Sequence, residues 1–315
     1  MTGRQRDLSL KQESVVLKVR GPDSCRLDQY VGAALSWKSR TRIQDLIHTG
    51  RIRVNGTCAK PSRKVRCGDK ITIEVPADAP APPEYGELEL EILYEDSWLV
   101  AINKPPGLLV HPTGPHVYDT LINHLHHRYR GEVDESGEPV RPRLCHRIDK
   151  ETTGVVVVGK DPYVHNEVRR QFETRKISKE YYALVRGRYP VEGHIEIPIG
   201  EGHDLESSLR HSLLRESRTV VRILKRFDGY TFLSCIPATG RQNQIRIHLA
   251  AKGFPIVGDE RFGSNTPPED FPQRYLLHSR FLLFVHPRLK TPVGLTAPLP
   301  ADFAALLEQL STGNE

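Results

Sequence analysis

Pro142-Arg143-Leu144-Cys145-His146-Arg147-Ile148-Asp149-Lys150-Glu151-Thr152-Thr153-Gly154 leads directly into the apolar run Val155-Val156-Val157-Val158. One carboxylate, Asp149, stands between two cations, Arg147 and Lys150, at the mouth of what reads as a buried strand. A charge placed there is costly unless it is paired or used. For an isolated Arg-x-Asp, a structural ion pair at a strand entry would be the better reading, so the decision rests on what lies around it.

Working outward, the segment from Leu88 onward alternates strand and helix patterns. Strands are expected at Leu90–Tyr94, Trp98–Asn103, Gly154–Gly159, Tyr181–Arg186, Thr219–Phe227 and Tyr230–Pro237. Helices are expected at Thr120–Tyr129, Pro162–Thr174, Gln242–Lys252 and Asp302–Leu310. Strands interrupted by helices at irregular spacing predict an α+β fold, with a mixed, mostly antiparallel central sheet flanked by helices. Residues 131–143 read as a polar loop that delivers the chain to Asp149.

Upstream, residues 14–76 read as a small α/β unit of their own. Helical apolar spacing runs from Arg26 to Leu35, and Ser39 is placed to cap a second helix that reaches Ile47 and ends at Gly50. Ile52-Arg53-Val54-Asn55-Gly56 then reads as a strand with a hairpin turn, and Ile71–Val75 as a second alternating strand. Residues 1–13 are expected to be disordered. Residues 77–87, rich in proline, are expected to form a semi-rigid linker before a second domain, 88–315.

The chain has 315 residues and a net charge of +6. Between Gly21 and Val75 stand eleven Lys or Arg against five acids, so this short segment matches the whole chain's excess. A concentrated basic face is the electrostatic footprint of a polyanion partner. No apolar stretch approaches the ~20 residues of a membrane span, and Met1–Lys11 lacks the apolar core of a signal peptide, so a cytoplasmic location is expected. Cys25, Cys58, Cys67, Cys145 and Cys235 are scattered with no Cys-x-x-Cys pair, which argues against a disulfide framework and a structural zinc site. His124, His126 and His127 lie in a helical context without an acidic partner at ligand spacing and read as a solvated helix face. No metal site is expected from these spacings.

Several separated blocks resemble the RluA-type RNA pseudouridine synthases. The Asp149 block is similar to that family's His-Arg-Leu-Asp-x-x-Thr-Ser-Gly motif. Asn103-Lys104-Pro105-Pro106-Gly107 through His111-Pro112, Lys179-Glu180-Tyr181-Tyr182-Ala183-Leu184-Val185-Arg186-Gly187, Gly240-Arg241-Gln242-Asn243-Gln244-Ile245-Arg246-Ile247-His248 and Leu276-Leu277-His278 through His286-Pro287 resemble its other blocks, in the same order. The 14–76 unit resembles an S4-type RNA-binding domain.

The resemblance implies an isomerase that turns uridine in RNA into pseudouridine by way of Asp149, acting as nucleophile at C1′ or as base at C2′; nothing is oxidised or hydrolysed overall, so neither metal nor cofactor is expected. It implies that Arg246 pairs with Asp149, that Tyr181 stacks on the uracil, and that Leu276 or a neighbour walls the pocket. His146 and Arg147 are assigned to phosphate binding or, by preference, to holding the loop. Lys38, Arg40, Arg42, Arg51 and Arg53 are assigned to RNA phosphates, which position a protein but carry little sequence information. A uridine in a helix must be flipped to reach the pocket, past cations such as Arg143, Arg147, Arg169 and Arg170.

The chain departs from the family in Ile148 for Leu, Thr153 for Ser, and Gln242-Asn243 where a histidine usually stands, which bears on specificity. The expected partner is ribosomal RNA, with transfer RNA as the alternative, and the protein is expected to act as a monomer. A non-catalytic RNA-binding or assembly factor on the same fold is the rival reading. A retaining glycosidase or nucleosidase ranks last, since it needs a second carboxylate about 5–5.5 Å from the first and no motif offers one.

Overall fold

The computed structural model describes residues 7–10, 14–19, 25–34, 40–74, 88–113, 116–202, 204–210, 213–263 and 267–312. Lys38, Ser39, the linker 77–87 and residues 1–6 and 11–13 lie outside them. The chain divides into two compact units, Met1–Leu88 with Leu109–Pro142, and Glu89–Leu108 with Arg143–Glu315.

In the first unit, strand β1 (Ser14–Lys18), helices α1 (Leu27–Ala34) and α2 (Arg40–His48), and strands β2 (Ile52–Val54), β3 (Thr57–Cys58) and β4 (Lys70–Glu74) form one layer of helix on a sheet of order β1-β4-β2-β3. Leu27, Val31, Ile43, Leu46, Ile47, Ile52, Val54, Ile71 and Ile73 make its core. The Asn-Gly signal gives the expected hairpin: Val54 pairs with Thr57, and Asn55 and Gly56 both take positive φ, 52° and 81°, as a two-residue turn of this hand requires.

Helix α3 (Leu121–Arg128) groups with this unit. It corrects the reading of its histidines: His126 is buried, because it lies on the inner face with Leu121, Ile122 and Leu125. Its Nδ1 accepts from the Leu8 amide at 3.2 Å and its Nε2 meets the Pro142 carbonyl at 3.0 Å. An imidazole with a backbone partner at each ring nitrogen, and Asp7 3.8 Å from Nδ1, is a satisfied core residue. The same contacts fold residues 7–10, expected to lack structure, against α3; Asn123 donates to the Leu8 carbonyl and Arg130 to the Ser9 hydroxyl.

The second unit is built on a ten-stranded sheet. Its strands are β5 (Glu91–Glu95), β6 (Leu99–Lys104), β7 (Arg143–Leu144), β8 (Thr153–Gly159), β9 (Ser178–Arg186), β10 (Gly193–Glu196), β11 (Arg218–Phe227), β12 (Tyr230–Pro237), β13 (Leu277–Val285) and β14 (Pro292–Thr296). The order is β10-β11-β12-β9-β13-β8-β6-β5, with β14 on β13 and β7 on β8. Every pair is antiparallel except β8 with β13, so the sheet is mixed and mostly antiparallel. Helices α4 (Pro162–Glu173), α5 (Leu205–Leu209), α6 (Gln244–Ala251), α7 (Glu260–Gly263) and α8 (Ala301–Thr312) complete it.

Strand β8 is why the quoted stretch decides the fold. All seven of its residues are buried, as befits a near-continuous apolar run covered on both faces. Burying each of its four valines stabilises the fold by about 1.5–3 kcal/mol relative to exposure. Val155 and Val157 pack with Leu99, Ala101 and the α4 residues Val164 and Val168. Helix α4 starts where Asp161 accepts from the Val164 amide at 2.8 Å, with Pro162 in the first turn. At the other end, Gly154 has φ +103° and lies so close to β13 that a Cβ would collide with the Ser279 carbonyl. Only glycine lets β8 enter beside β13.

Among the described residues no helix is long and apolar enough to cross a membrane, and no cluster of His, Cys, Asp and Glu is placed to hold a metal ion.

Candidate active site

Asp149 sits in the loop between β7 and β8, and that loop is fixed on both sides of it. Ile148 is buried. The His146 Nε2 accepts from the Val157 amide at 2.9 Å, and the ring stacks on Phe172 at 4.4 Å. Burial, with the nearby Lys179 charge adding to it, pushes the His146 imidazole down to about 3. A neutral acceptor locked onto β8 holds the loop. Arg147 is exposed, so these two neighbours face different environments.

After the aspartate, the fully buried Lys104 at the end of β6 donates to the Lys150 carbonyl at 2.8 Å and to the Pro105 carbonyl at 2.7 Å. Burial pulls this ammonium down to about 7, with Glu151 and Asp149 opposing the shift. Thr152 donates to the Tyr275 hydroxyl at 3.3 Å, and Thr153 meets the His278 Nδ1 at 2.8 Å. The Thr-Thr-Gly of the motif is therefore a clamp: two hydroxyls tie the loop to the 275–278 segment, and the glycine permits the approach.

Facing Asp149 is Arg246 on α6, its Nη1 3.6 Å from Asp149 Oδ2. That is a charge contact, longer than a hydrogen bond. The guanidinium is held by another residue. Asp259 takes its Nε and Nη2 in a bidentate fork at 2.7 and 2.8 Å, the strongest geometry for this pair. Asn243, in a left-handed conformation at the start of α6, accepts from Nη1 at 3.1 Å. The rings of Tyr275 and Phe262 flank the cation at 4.1 and 4.8 Å. Gly258, with φ +79°, allows the Asp259 turn to lie against the Arg274 carbonyl, where a Cβ would collide.

Tyr181 on β9 is paired laterally with Ser279 of β13 and Cys235 of β12. Its hydroxyl is pushed up to about 12, by burial first and by the Asp149 charge as well, against a hydrogen bond with Ser279. It is thus a neutral phenol near a carboxylate at any physiological pH.

The sequence reading gave Leu276 or a neighbour as a wall of the pocket. The Leu276 side chain is fully buried in the core with Leu184 and Leu233, and its backbone pairs with Val257 and Leu184. The neighbour, Tyr275, is the residue at the site, where it faces Arg246 and takes the Thr152 hydrogen bond. Its hydroxyl is raised by burial and by Asp149. The sequence reading gave no role to Asp259, Phe262 or Lys104, and named Tyr275 only as a neighbour of Leu276. Asp259 carried a usable signal, an acid directly after the apolar Ile256-Val257 and a glycine.

In the first unit, Arg40, Arg42, Arg51 and Arg53 are all exposed. Arg40 also has an intramolecular partner, the buried carboxylate of Asp28, at 3.1 Å. Arg53 donates to the Gly50 carbonyl at 3.1 Å.

Residues 98–251 match the family model for RNA pseudouridylate synthases, and residues 25–71 match that of the S4 domain. The chain is 34% identical to a ribosomal large subunit pseudouridine synthase D of Pseudomonas aeruginosa, over 92% of this chain and 93% of the relative. It is 33% identical to an uncharacterized RNA pseudouridine synthase of Bacillus subtilis, over 90% of this chain and 94% of that one. Among solved structures, human RNA pseudouridylate synthase domain containing 4 superposes with a TM-score of 0.56 at 28% identity, covering 70% of this chain and 93% of its own. A carboxylate clamped on a buried strand beside a preset guanidinium, and relatives aligned along nearly the full length, place the chain in the RluA-type RNA pseudouridine synthases, with an S4 domain ahead of the catalytic one.

Proposed function

We propose that this RNA isomerase acts, as a cytoplasmic monomer, on uridine in large-subunit ribosomal RNA, with Asp149 as its catalytic carboxylate. The observation that carries the assignment of Asp149 is its spacing from Arg246. The carboxylate feels the guanidinium at 3.6 Å, while Asp259 and Asn243 take that group's short hydrogen bonds. Asp149 stays aimed and one-quarter exposed, which a purely structural ion pair does not need.

In the reaction, the N1–C1′ bond breaks, the uracil turns, and a C5–C1′ bond forms. The proton on C5 is lost and N1 ends protonated, so nothing is oxidised. Asp149 attacks C1′ or removes the C2′ proton; both routes need it ionised beside the ribose. Tyr181 supplies a flat face for the base and a neutral hydroxyl near C5. Tyr275 and Asp259 position Arg246 and do not touch the substrate. The S4 domain's exposed arginines supply affinity through phosphates.

Ribosomal RNA is favoured over transfer RNA because of that domain and because several relatives are named for the ribosomal large subunit. Incubating the protein with large-subunit ribosomal RNA and, separately, with transfer RNA, then mapping pseudouridine chemically, tests this. Pseudouridine confined to the ribosomal substrate is expected. Modification of transfer RNA alone overturns the substrate, and an RNA binder that modifies neither overturns the enzyme.

A further inference from the structure

Lys179 is a basic group at the site to which the proposed chemistry gives no role. It stands two residues before Tyr181 on β9, so both side chains leave the strand on the same face. Its Nζ reaches the turn between β12 and α6, where it donates to the Thr239 carbonyl at 3.2 Å and lies within 3.4 Å of a Cβ built on Gly240. That turn leads into Asn243 and Arg246. On its other side lies the Asp149 loop, since the Lys179 charge reaches His146.

The ammonium is half-buried and lies in no ion pair found among the described residues. Burial alone pulls it down to about 8, with no acidic group opposing the shift. Lys104, by contrast, has two carbonyls at short range and two acids acting on it. A desolvated cation with a single carbonyl partner, beside the proposed site of an enzyme that acts on a polyanion, lacks an anion.

We propose that Lys179 binds a backbone phosphate of the RNA beside the flipped uridine, fixing the strand while Tyr181 holds the base. This rests on the reading of the site as the place where uridine enters. One strand then grips two parts of one nucleotide step: the base at Tyr181 and the phosphate at Lys179. The two residues are roughly 6.6 Å apart along β9, a span on the scale of one nucleotide. Lysine suits the task as a compact charge, and the Thr239 carbonyl aims it without neutralising it.

The test measures steady-state kinetics and RNA binding for the full chain and for Lys179→Gln across a salt series. Lys179→Met takes the place of the glutamine variant if that variant does not fold. KM is expected to rise by about 10-fold, the loss of one charge-assisted hydrogen bond, with kcat at saturating RNA within about 2-fold. The plot of log binding constant against log salt should become shallower by roughly 0.7 to 0.9, one phosphate contact. Lys179→Arg should keep most of the affinity.

A methylphosphonate in place of one phosphate flanking the target uridine should weaken binding by the native chain but not by Lys179→Gln. An unchanged salt slope, a loss in kcat alone, or equal weakening of both proteins by every methylphosphonate overturns the assignment. Native protein that makes no pseudouridine in the same assay overturns the functional reading instead, so the two failures are distinguishable.

Discussion

The two units each contain an ionic knot, and they are built in opposite senses. In the first, one buried carboxylate, Asp28, is gripped by two arginines and a glutamine: Arg26 at 3.0 and 3.1 Å, Arg40 at 3.1 and 3.2 Å and Gln44 at 3.0 Å. Those partners hold the carboxyl far below the usual range, the Arg26 hydrogen bond contributing most. In the second, one buried guanidinium, Arg246, is gripped by Asp259 and leaves Asp149 at a distance of 3.6 Å. Asp28 is saturated, and its charge does nothing but tie α1 to α2. Asp149 is oriented by a fixed cation without being consumed by it. On the proposed mechanism, that difference separates a structural carboxylate from a reactive one.

The comparison breaks most sharply at Asp149 itself. Asp149→Asn should lower turnover by about 10⁴-fold or more and leave RNA affinity within a few-fold, measured by single-turnover kinetics and by filter binding. Next comes Asp259→Ala. It strands a buried guanidinium, so thermal or denaturant unfolding should show a loss of about 3–5 kcal/mol, with activity falling as Arg246 loses its aim. Asp28→Ala is the contrasting control. Its arginine partners are 41% and 60% exposed and can return to water, so the loss should be nearer 1–2 kcal/mol, with kcat unchanged.

A pH experiment sharpens the picture of the loop. Lys104 is held near 7 when folded, against about 10.5 in the unfolded chain. Between those values the unfolded state binds more protons, so this group makes stability rise as pH climbs from about 7 towards 10.5, and adds no further slope below 7. The effect is on the order of a few kcal/mol across the window. Denaturant unfolding at pH 7 and pH 9 should show the rise in the native chain and a smaller one in Lys104→Met. That variant should also lose kcat, since the Lys150 carbonyl beside Asp149 is no longer held. The smallest effect belongs to the exposed cations: Arg51→Ala should weaken RNA binding only a few-fold and flatten its salt dependence by less than one unit.

How much of this was legible in the sequence follows from where each signal lies. Asp149 and β8 could be read because motif and apolar run are contiguous, and the Asn55-Gly56 hairpin because a two-residue turn is a local device. Strands β1, β7, β10, β13 and β14 were not read. All but β13 are short, and β1 is defined by pairing with Glu74 and its neighbours up to sixty residues away.

Arg246 was tied to Asp149 by resemblance, but its stronger partner Asp259 sits thirteen residues on, across a turn that only Gly258 permits. The sequence offered Leu276 or a neighbour, and it is the neighbour Tyr275 that faces Arg246; one position in extended chain reverses the direction of the side chain. His126 looked solvated because its ring nitrogens meet backbone groups at Leu8 and Pro142, far away in sequence and carrying no residue signature.

The central claim is that Asp149, held by its loop beside a fixed Arg246, makes pseudouridine in large-subunit ribosomal RNA. Its most direct test is chemical mapping of that RNA from cells lacking this gene, complemented with the native chain or with Asp149→Asn. The account predicts a pseudouridine that disappears on deletion, returns with the native chain and stays absent with the variant. Return of the modification at the native level with Asp149→Asn would contradict it.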